Sequence, residues 1–338
     1  MTLAAAVDQH RALKVVAIPG DGIGREVVAA AVELLGLEPG LDVSVHVAGR
    51  RSWQETGDAM PEAVLHAASN ADGVLFGASA TPSPRPPGYR SPILELRRTL
   101  GACANLRYCR GDGADAIDVV IVREPVEGLY GGVERSFAGG AVADYRVTAD
   151  ATDRTARAAA HVARGRRGEV TIVHKANVLP QTDGLFRATA IECLERASIR
   201  WNEVLADAAA YELVRDPQRF DVMLTGNHVG DILSDVAAAV AGGLGRVPSL
   251  TVGAGPPLAE PVHGSAPDIA GTGTADPVAA ILAAGLLMRE IGRTAFAARL
   301  TRATCEHLAR RSPRTPTRTA DVAADIRRRL EELTPARS

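Results

Sequence analysis

Residues 220–235 read Phe-Asp-Val-Met-Leu-Thr-Gly-Asn-His-Val-Gly-Asp-Ile-Leu-Ser-Asp. The apolar run up to Thr225 is typical of a buried strand, and the glycines that follow predict a turn into a helix. Asp231 and Asp235 are four residues apart, so they share one face of that helix. They also follow the carboxyl end of a strand, where open α/β sheets bind ligands. The segment therefore predicts an α/β fold with an acidic pair at the sheet edge.

The aspartate pair has two interpretations. Like charges at this spacing repel each other on an isolated helix. One interpretation is a solvated acidic helix start, which the helix dipole favours. The other is a cation bound between Asp231 and Asp235, and carboxylate oxygens suit hard ions such as Mg²⁺ or Mn²⁺.

Length and composition restrict the class of protein. The chain has 338 residues, enough for two domains or one large α/β unit, with 46% hydrophobic and 23% charged residues. A formal net charge of -2 gives no electrostatic reason to expect nucleic acid or a membrane as partner. Residues 1–10 lack the features of a signal peptide, so a cytoplasmic location is expected. The four cysteines have no metal-site spacing and are predicted to be free thiols.

Strand and helix patterns alternate along the rest of the chain, which favours an α/β fold. Strands are predicted over 14–18, 73–77, 116–122 and 169–174, helices over 25–35, 152–166 and 319–333, and a β-arm over 136–148. The turn Pro19-Gly-Asp-Gly-Ile-Gly24 has the spacing G-x-G-x-G. A dinucleotide fingerprint needs G-x-G-x-x-G, so we interpret this segment as a tight turn that requires small residues.

Several residues outside the acidic pair are candidates for chemistry. Arg97, Arg107 and Arg123 lie in or beside structured segments, and three guanidinium groups would suit a di- or tricarboxylate, although an arginine-rich chain also produces such triplets by chance. Tyr130 lies in a glycine-flanked loop, where it can donate a proton or cap the core. Lys175 is one of only two lysines. At a strand end it is either paired structurally or tuned for proton transfer.

The loop His263-Gly-Ser-Ala-Pro-Asp-Ile-Ala-Gly271 consists mainly of small residues. Small side chains allow a nucleotide to approach the backbone closely, and they also suit a structural turn. A carboxylate such as Asp268 can accept hydrogen bonds from ribose hydroxyls but repels a 2′-phosphate. If the loop binds a dinucleotide, it favours NAD over NADP.

Five motifs together resemble those of the β-decarboxylating dehydrogenases, the family of isocitrate, homoisocitrate and 3-isopropylmalate dehydrogenases. They are Gly20-Asp-Gly-Ile-Gly24, His174-Lys-Ala-Asn-Val-Leu179, Thr182-Asp-Gly-Leu-Phe186, Gly230-Asp-Ile-Leu-Ser-Asp235 and Pro261-Val-His-Gly-Ser-Ala-Pro-Asp-Ile-Ala-Gly271. The resemblance extends from about Lys14 to Thr315. It implies an isopropylmalate/isocitrate dehydrogenase-like fold, not a classical Rossmann fold, in a homodimer or dimer of dimers.

The resemblance also implies a domain organisation and a set of site residues. The larger domain, residues 1–99 plus 241–338, would carry the nucleotide loop. The smaller domain, residues 100–240, would carry the dimer interface and β-arm, with the active site in the cleft between domains. The implied roles are substrate binding by Arg97, Arg107 and Arg123; Mg²⁺ or Mn²⁺ binding by Asp231, Asp235 and the partner subunit's Asp207; proton transfer by Tyr130 and the partner subunit's Lys175; and NAD binding by Asn177, His263, Gly264, Ser265, Ala266, Asp268, Ile269 and Asp276.

Substrate choice in the resembled family resides largely in the segment before Arg97. Ser91-Pro92-Ile93 is more similar to homoisocitrate-type enzymes, which implies a polar or anionic substituent on malate recognised by Ser91, and by Arg85 or Arg90 unless these are solvated. A 3-isopropylmalate dehydrogenase and a paralogue for a phosphonate or tartrate-like analogue are alternatives. A non-catalytic subunit and a metal-dependent lyase are two interpretations from other classes.

The chain departs from the usual family pattern at several positions. They are Pro125-Val126 before Tyr130, Tyr211 near Asp207, Asp276 beside the nucleotide loop, and residues 315–320. The change at Pro125-Val126 implies a different shape of the loop that leads to Tyr130. The resemblance places Asp276 and residues 315–320 beside the adenine, so these two departures affect the expected coenzyme affinity more than the expected chemistry.

Overall fold

The chain folds into two α/β units, which a computed structural model describes over residues 11–112, 116–311 and 318–334. One unit comprises Ala102–Gly243, and the other comprises the described residues up to Gly101 together with those from Leu244 onward. The prediction that residues 1–10 are not a signal peptide, and residues 315–317 of the divergent segment 315–320, lie outside the described residues.

Strands and helices alternate along much of the chain. The strands are β1 (Leu13–Gly20), β2 (Leu41–Val45), β3 (Gly73–Ala78), β4 (Ala102–Arg110), β5 (Asp118–Arg123), β6 (Glu134–Phe137), β7 (Gly140–Ala143), β8 (Glu169–His174), β9 (Arg200–Leu205), β10 (Val222–Thr225), β11 (Pro248–Gly253) and β12 (Leu258–Pro261). The α-helices are α1 (Gly24–Leu35), α2 (Arg50–Thr56), α3 (Glu62–Ser69), α4 (Pro92–Thr99), α5 (Ala149–Arg164), α6 (Thr182–Arg196), α7 (Ala206–Arg215), α8 (Asn227–Val240), α9 (Val278–Glu290), α10 (Thr294–Arg310) and α11 (Thr319–Glu332).

In the unit Ala102–Gly243 the strands follow the order β4-β5-β10-β8-β9. Strand β4 is antiparallel to β5, whereas β5, β10, β8 and β9 are mutually parallel. Neighbours in the sheet are therefore distant in sequence, since β10 lies between β5 and β8. The carboxyl ends of the four parallel strands meet at one edge of the sheet, and the residues that follow them are brought together there.

The second unit has the strand order β2-β1-β3-β12-β11, parallel except for the β11–β12 pair. Successive side chains of β1 point to opposite faces of the sheet, so they belong to two different hydrophobic cores. Val15 and Ala17 join a core with α1, α9, α10 and α11, whereas Val16 and Ile18 pack with α3 and α4. The sheet is thus covered by helices on both faces, which explains why its central strands are almost entirely apolar.

Most predicted elements are found in the structure. The strands at 14–18, 73–77 and 169–174 are confirmed. The predicted β-arm overlaps the exposed antiparallel pair β6–β7, which begins two residues before it at Glu134. As predicted, no disulfide bond joins Cys103, Cys109, Cys193 or Cys305. In the described part of the chain no helix combines the length and apolar character needed to cross a membrane.

Several predicted boundaries were wrong by two or three residues. Helix α5 begins at Ala149, not at residue 152, because the Thr148 side chain caps its first turn by accepting a hydrogen bond from the Ala151 N–H. Strands β5 and β10 begin two residues later than predicted. Asp221, the residue before β10, is buried, and its carboxylate forms a salt bridge with Arg166 Nε at 2.8 Å. It was included in the predicted strand but precedes the observed one.

A charged cluster joins α10 to α11. Asp325 of α11 accepts hydrogen bonds from His307 Nδ1 and Arg329 Nε, both at 2.8 Å, and from Arg328 at 2.6 Å. Partial burial opposes ionisation, but the hydrogen bonds from Arg329, His307 and Arg328 outweigh it and hold the pKa of Asp325 well below its usual range. The ionised carboxylate therefore stabilises the contact between the two helices.

We predict that Asp325→Ala lowers the free energy of unfolding by about 2 kcal/mol, the usual contribution of hydrogen bonds to a charged group. Because the pKa of Asp325 is lower in the folded chain, its contribution is complete above the unfolded value of about 3.9 and is lost as the pH falls below it. Thermal unfolding between pH 7 and pH 3 measures this. Glu306→Ala, which removes an exposed ion pair with Arg302, is the control and should leave the Tm unchanged. Equal losses in both variants would contradict the prediction.

Candidate active site

Four candidate residues lie at the carboxyl ends of the four parallel strands. Arg123 is the last residue of β5, and Asp231 is in the helix that follows β10. Lys175 directly follows β8, and Asp207 is in the first turn of α7 after β9. The sheet order, and not sequence proximity, assembles this group.

Helix α8 packs very closely against the strand ends. A Cβ atom at Gly230 would lie 2.1 Å from Thr225 Oγ1 and 3.0 Å from Arg123 Cβ. Only glycine fits such an approach without displacing its neighbours. The close contact brings Asp231, the next residue, within reach of the arginine at the end of β5.

Asp231 is the centre of the site. Arg107 Nη2 donates to its Oδ1 at 3.1 Å, Arg123 Nη1 donates to the same oxygen, and Tyr130 Oη donates to Oδ2 at 3.1 Å. The side chains of Arg107 and Arg123 are only 8% and 3% exposed. Since buried charges are costly unless paired, Asp231 supplies negative charge to both buried guanidinium groups at once.

Polar side chains fix the orientation of both arginines. Asn227 Oδ1 accepts from Arg123 Nε at 3.0 Å and from Arg123 Nη2 at 2.6 Å. Asn105 Oδ1 accepts from Arg107 Nε at 2.9 Å. Neither asparagine was predicted from the sequence, although Asn227 stands between the predicted strand and Asp231. Their position beside an arginine becomes visible only when the strands are placed side by side.

Asp235 lies one helical turn after Asp231, as predicted from the spacing. Its side chain is 61% exposed, and Arg107 Nη1 is 3.7 Å away. Partial burial, followed by the like charge of Asp231, raises the pKa of Asp235. The two carboxylates offer only hard oxygen donors, a set that fits Mg²⁺ or Mn²⁺. In the described part of this single chain, however, no three His, Cys, Asp or Glu side chains are grouped to hold a metal ion.

Asp207, the third carboxylate of the predicted metal set, pairs with Lys175 in this chain. Lys175 Nζ lies 2.5 Å from Asp207 Oδ1, and this hydrogen bond lowers the pKa of Asp207. The Lys175 side chain is 31% exposed. The structure thus forms two groups in the unit, one around Asp231 and one around Lys175.

Arg97 and Ser91 belong to the other unit. Arg97 Nη2 lies 2.5 Å from Glu260 Oε1, and both side chains are at most 10% exposed. Arg97 Nε is buried and has no hydrogen-bond partner among the described residues. Ser91 precedes α4 without a side-chain capping bond. Glu260 was not identified from the sequence because its β12 position resembles that of an ordinary buried strand residue.

The two loop arginines near Ser91 are engaged within their own unit. Arg85 donates through Nη2 to the Tyr89 carbonyl oxygen at 2.7 Å. Arg90 is half exposed and lies 3.2 Å from Asp58 and 3.3 Å from Glu95. Surface ion pairs of this kind are weak, so Arg90 remains free to exchange partners.

The predicted nucleotide loop is held by the glycine turn and by α1. A Cβ atom at Gly22 would lie 1.9 Å from the Ser265 carbonyl oxygen, and the Ile23 N–H donates to that oxygen at 2.9 Å. Glu26 accepts hydrogen bonds from the Gly271 N–H at 2.5 Å and the Gly273 N–H at 3.0 Å. The small residues of the turn are therefore required by close packing against the loop, in agreement with the interpretation as a tight turn.

Within the loop, His263 has an atom without a protein partner. Its Nε2 is buried and accepts or donates no hydrogen bond among the described residues, while Nδ1 lies 3.0 Å from the Gly264 carbonyl oxygen. Burial lowers the pKa of His263, so the ring is neutral at pH 7. Ala266 has a φ of +37°, which few non-glycine residues adopt. Asp268 and Ile269 are exposed.

Two other residues predicted to bind NAD have different surroundings. Asp276 accepts a hydrogen bond from the Val278 N–H at 3.1 Å and pairs with Arg311 Nη1 at 2.5 Å, so it connects the first residue of α9 to the residue that follows α10. Asn177 is exposed beside Lys175, in the unit that does not contain the nucleotide loop.

Comparison with known proteins identifies the relatives of this chain. Residues 14–334 match the isocitrate/isopropylmalate dehydrogenase family. The chain is 40% identical over 323 residues to an isocitrate/homoisocitrate dehydrogenase of Thermus thermophilus, covering 93% of this chain and 96% of that protein. It is 42% identical over 287 residues to a 3-isopropylmalate dehydrogenase of Archaeoglobus fulgidus, covering 82% and 86%. The crystal structure of isocitrate dehydrogenase from Methylococcus capsulatus has a TM-score of 0.88 at 36% identity, covering 94% of this chain and 99% of that one.

The fold and these matches define an α/β dehydrogenase. The chain belongs to the isocitrate/isopropylmalate dehydrogenase family, which confirms the family and the fold class predicted from the sequence. It is therefore a decarboxylating dehydrogenase that acts on the CH–OH group of a hydroxy acid. The family uses NAD or NADP and a divalent metal ion, and its members are often dimeric.

We predict opposite effects on stability for the two aspartates of α8. Asp231→Asn should lower the free energy of unfolding by about 1 to 3 kcal/mol, because it removes the charge that balances two buried arginines. Asp235→Asn should leave the Tm equal to or slightly above that of the wild type, because it removes the like charge next to Asp231. Thermal unfolding in EDTA measures both. A larger loss for Asp235→Asn than for Asp231→Asn would show that the charge balance is assigned wrongly.

Proposed function

We propose that the protein catalyses the NAD-dependent and divalent-metal-dependent oxidative decarboxylation of a 3-substituted malate of the isocitrate or homoisocitrate type. One observation carries this proposal. A single carboxylate, Asp231, is surrounded by two buried arginines, a tyrosine hydroxyl and a second carboxylate one turn away. Groups that bind anions, bind a hard cation and donate a proton therefore stand within a few ångströms of one another.

The buried arginines support recognition of the malate portion. Arg107 and Arg123 are held in fixed orientations by Asn105 and Asn227, and a preorganised guanidinium binds a carboxylate with little loss of side-chain entropy. We infer that Arg97, whose Nε has no described partner, provides the third guanidinium.

The acidic residues support a divalent cation site. We propose that Asp231 and Asp235 share the cation with Asp207 of the partner subunit, because two carboxylates alone make an incomplete set of protein ligands. A bound divalent cation would supply a Lewis acid for the negative charge that develops as CO₂ departs. Its positive charge would compete with the two arginines for the Asp231 carboxylate, and the carboxylates of the substrate would then supply the negative charge that Arg107 and Arg123 require.

Proton transfer is assigned to Lys175 and Tyr130. The partner subunit's Lys175 would take the proton of the C2 hydroxyl, directly or through water, while the coenzyme supplies the hydride acceptor. The resulting ketone lies β to a carboxylate, which leaves as CO₂. The Tyr130 O–H bond then breaks and a C–H bond forms at the carbon that lost CO₂. Partial burial, followed by the charge of Asp231, raises the pKa of Tyr130, so the phenol is protonated and ready to donate.

The nucleotide loop supports NAD as the coenzyme. The unpartnered His263 Nε2 provides a neutral hydrogen-bonding atom, and the exposed Asp268 carboxylate is suited to ribose hydroxyls. We propose that residues 263–269 bind the dinucleotide together with Asp276, and that Asn177 lies near the nicotinamide. We also propose that the two units correspond to the two domains expected from the sequence.

The substituent on the malate has two candidates, a polar or anionic group and an apolar group. The segment at Ser91 favours a polar or anionic group, since Ser91 has no capping bond and Arg90 has only surface partners. The similarity to a 3-isopropylmalate dehydrogenase supports an apolar group as the second candidate. Isocitrate, homoisocitrate, 3-isopropylmalate, tartrate, malate and phosphonate analogues, each assayed with NAD and Mn²⁺, distinguish them by the ratio of kcat/KM.

The proposed reaction predicts that NADH and CO₂ form in equal amounts from one of these acids and that EDTA abolishes both. Lys175→Ala and Asp231→Asn should each lower kcat by roughly 10³-fold or more, because each removes a group that acts on the reacting atoms. Absorbance of NADH and release of labelled CO₂ are the measurements. Full turnover in both variants would refute the mechanism.

Mixing the two inactive variants provides a control for the shared site. In a mixed dimer, one site combines an intact Asp231 with an intact Lys175 from the partner subunit. If subunits assort randomly, about a quarter of the wild-type activity should return. Absence of any recovery after verified subunit exchange would show that each chain completes its own site.

Coenzyme choice provides a separate prediction. Asp268→Lys should lower the ratio of kcat/KM for NAD to that for NADP by at least about tenfold, because it removes an acceptor for the ribose hydroxyls and the repulsion of a 2′-phosphate. Glu290→Lys, which changes an exposed carboxylate at the end of α9 in the same unit, is the charge control. An unchanged ratio in Asp268→Lys would remove Asp268 from the ribose site.

A further inference from the structure

Asp183 is a buried carboxylate that the reaction described above does not use. It lies in the first turn of α6, is 4% exposed, and accepts the Lys175 backbone N–H on Oδ2 at 2.6 Å. Lys175 is the first residue after β8. A carboxylate at the start of a helix is favoured by the helix dipole and makes a strong, charge-assisted hydrogen bond. Asp183, whose side chain binds the backbone of Lys175, is thus the aspartate of the motif Thr182-Asp-Gly-Leu-Phe186.

The second oxygen of Asp183 connects it to Tyr145. Tyr145 Oη donates to Asp183 Oδ1 at 2.7 Å. Burial, followed by this hydrogen bond, raises the pKa of Tyr145, so its hydroxyl remains a donor. The two carboxylate oxygens of Asp183 therefore accept one hydrogen bond each, Oδ1 from the Tyr145 hydroxyl and Oδ2 from the Lys175 N–H.

Tyr145 also contacts the segments that carry the other site residues. A Cβ atom at Gly128, two residues before Tyr130, would lie 3.4 Å from Tyr145 Cε2. A Cβ atom at Gly226, the residue that precedes α8, would lie 3.7 Å from Tyr145 Oη. The Tyr145 ring thus packs beside the loop that carries Tyr130 and beside the start of α8. Its hydroxyl binds Asp183, the carboxylate that also binds the Lys175 backbone.

We propose that Asp183 and Tyr145 are positioning residues for Lys175, and that they fix its backbone within its own chain, so that its side chain is presented correctly to the site it serves in the other subunit. This inference rests on the proposed function, in which Lys175 performs proton transfer. The Lys175 side chain pairs with Asp207 at 2.5 Å, and the Asp207 side chain is 70% exposed, so this surface ion pair holds it only weakly. Its reach toward a substrate therefore depends on where its Cα is held. Displacement of a reacting group by about 1 Å can cost roughly 100-fold in rate.

Asp183→Ala, Asp183→Asn and Tyr145→Phe test the proposal. Asp183→Ala should lower kcat by roughly 10- to 100-fold with less than about a threefold change in KM, because positioning acts on the proton transfer more than on binding. Tyr145→Phe should lower kcat by roughly 3- to 10-fold, and Asp183→Asn, which keeps one acceptor oxygen, should fall between the wild type and Asp183→Ala. Asp153→Ala is the matched control. Asp153, in α5, pairs with Arg157 of the same helix and with Arg196 of α6, the helix that carries Asp183, and it makes no hydrogen bond to Lys175.

Two further readouts separate positioning from general loss of structure. In a Lys175→Ala background, Asp183→Ala should have no further effect on the residual rate, because a positioning residue has nothing left to position. Hydrogen exchange should rise in the peptide that contains the Lys175 amide in Asp183→Ala and not in Asp153→Ala. All rates are measured at a temperature at which each variant is folded, as shown by thermal unfolding.

The outcomes distinguish this inference from the proposed function. If Lys175→Ala is impaired but Asp183→Ala turns over like the wild type, the positioning role is refuted and the proposed function stands. Additive effects of Asp183→Ala and Lys175→Ala would also refute positioning. If Lys175→Ala itself turns over like the wild type, the proposed function fails first.

Discussion

The parallel arrangement of β5, β10, β8 and β9 is the constraint on which the site depends. Parallel strands present all their carboxyl ends at one edge, so the residue after each strand is delivered to the same place. Arg123, Asp231, Lys175 and Asp207 reach this edge from segments that are far apart in sequence. Glycine at position 230 then allows α8 to approach the strand ends closely enough for Asp231 to reach Arg123. Without either condition the charged groups would not meet.

The charges at this edge are balanced within the chain. Asp231 pairs with Arg107 and Arg123, while Asp207 pairs with Lys175. Each pairing uses a group that the proposed reaction assigns to a substrate, a cation or a proton transfer. Binding of the substrate and the cation would therefore replace existing ion pairs with new ones, and the charged side chains of the site would be paired both before and after binding. These ion pairs offset part of the cost of burying Arg107 and Arg123.

Carboxylates also order loops within each of the two units. Asp21 accepts the backbone N–H groups of Arg50 and Ala80, and Glu26 accepts those of two glycines in the nucleotide loop. Glu124 accepts two N–H groups in the loop that leads to Tyr130, and Asp183 accepts that of Lys175. A loop has no ladder to satisfy its N–H groups, and a carboxylate satisfies two of them with charge-assisted bonds. Buried or half-buried carboxylates thus order the loop around Gly271, the loop that leads to Tyr130 and the residue that follows β8.

The sequence by itself determined the fold class, the family and the helical spacing of Asp231 and Asp235, because these follow from local periodicity and from motifs of contiguous residues. It also indicated Arg107, Arg123 and Tyr130 as residues of one site, although their convergence on Asp231 could be seen only in the folded chain. The roles of Asn227, Glu260 and Asp183 were decided by tertiary structure alone. Each acts on a partner from a different element, and strand order sets such pairings through contacts between residues that no local pattern relates.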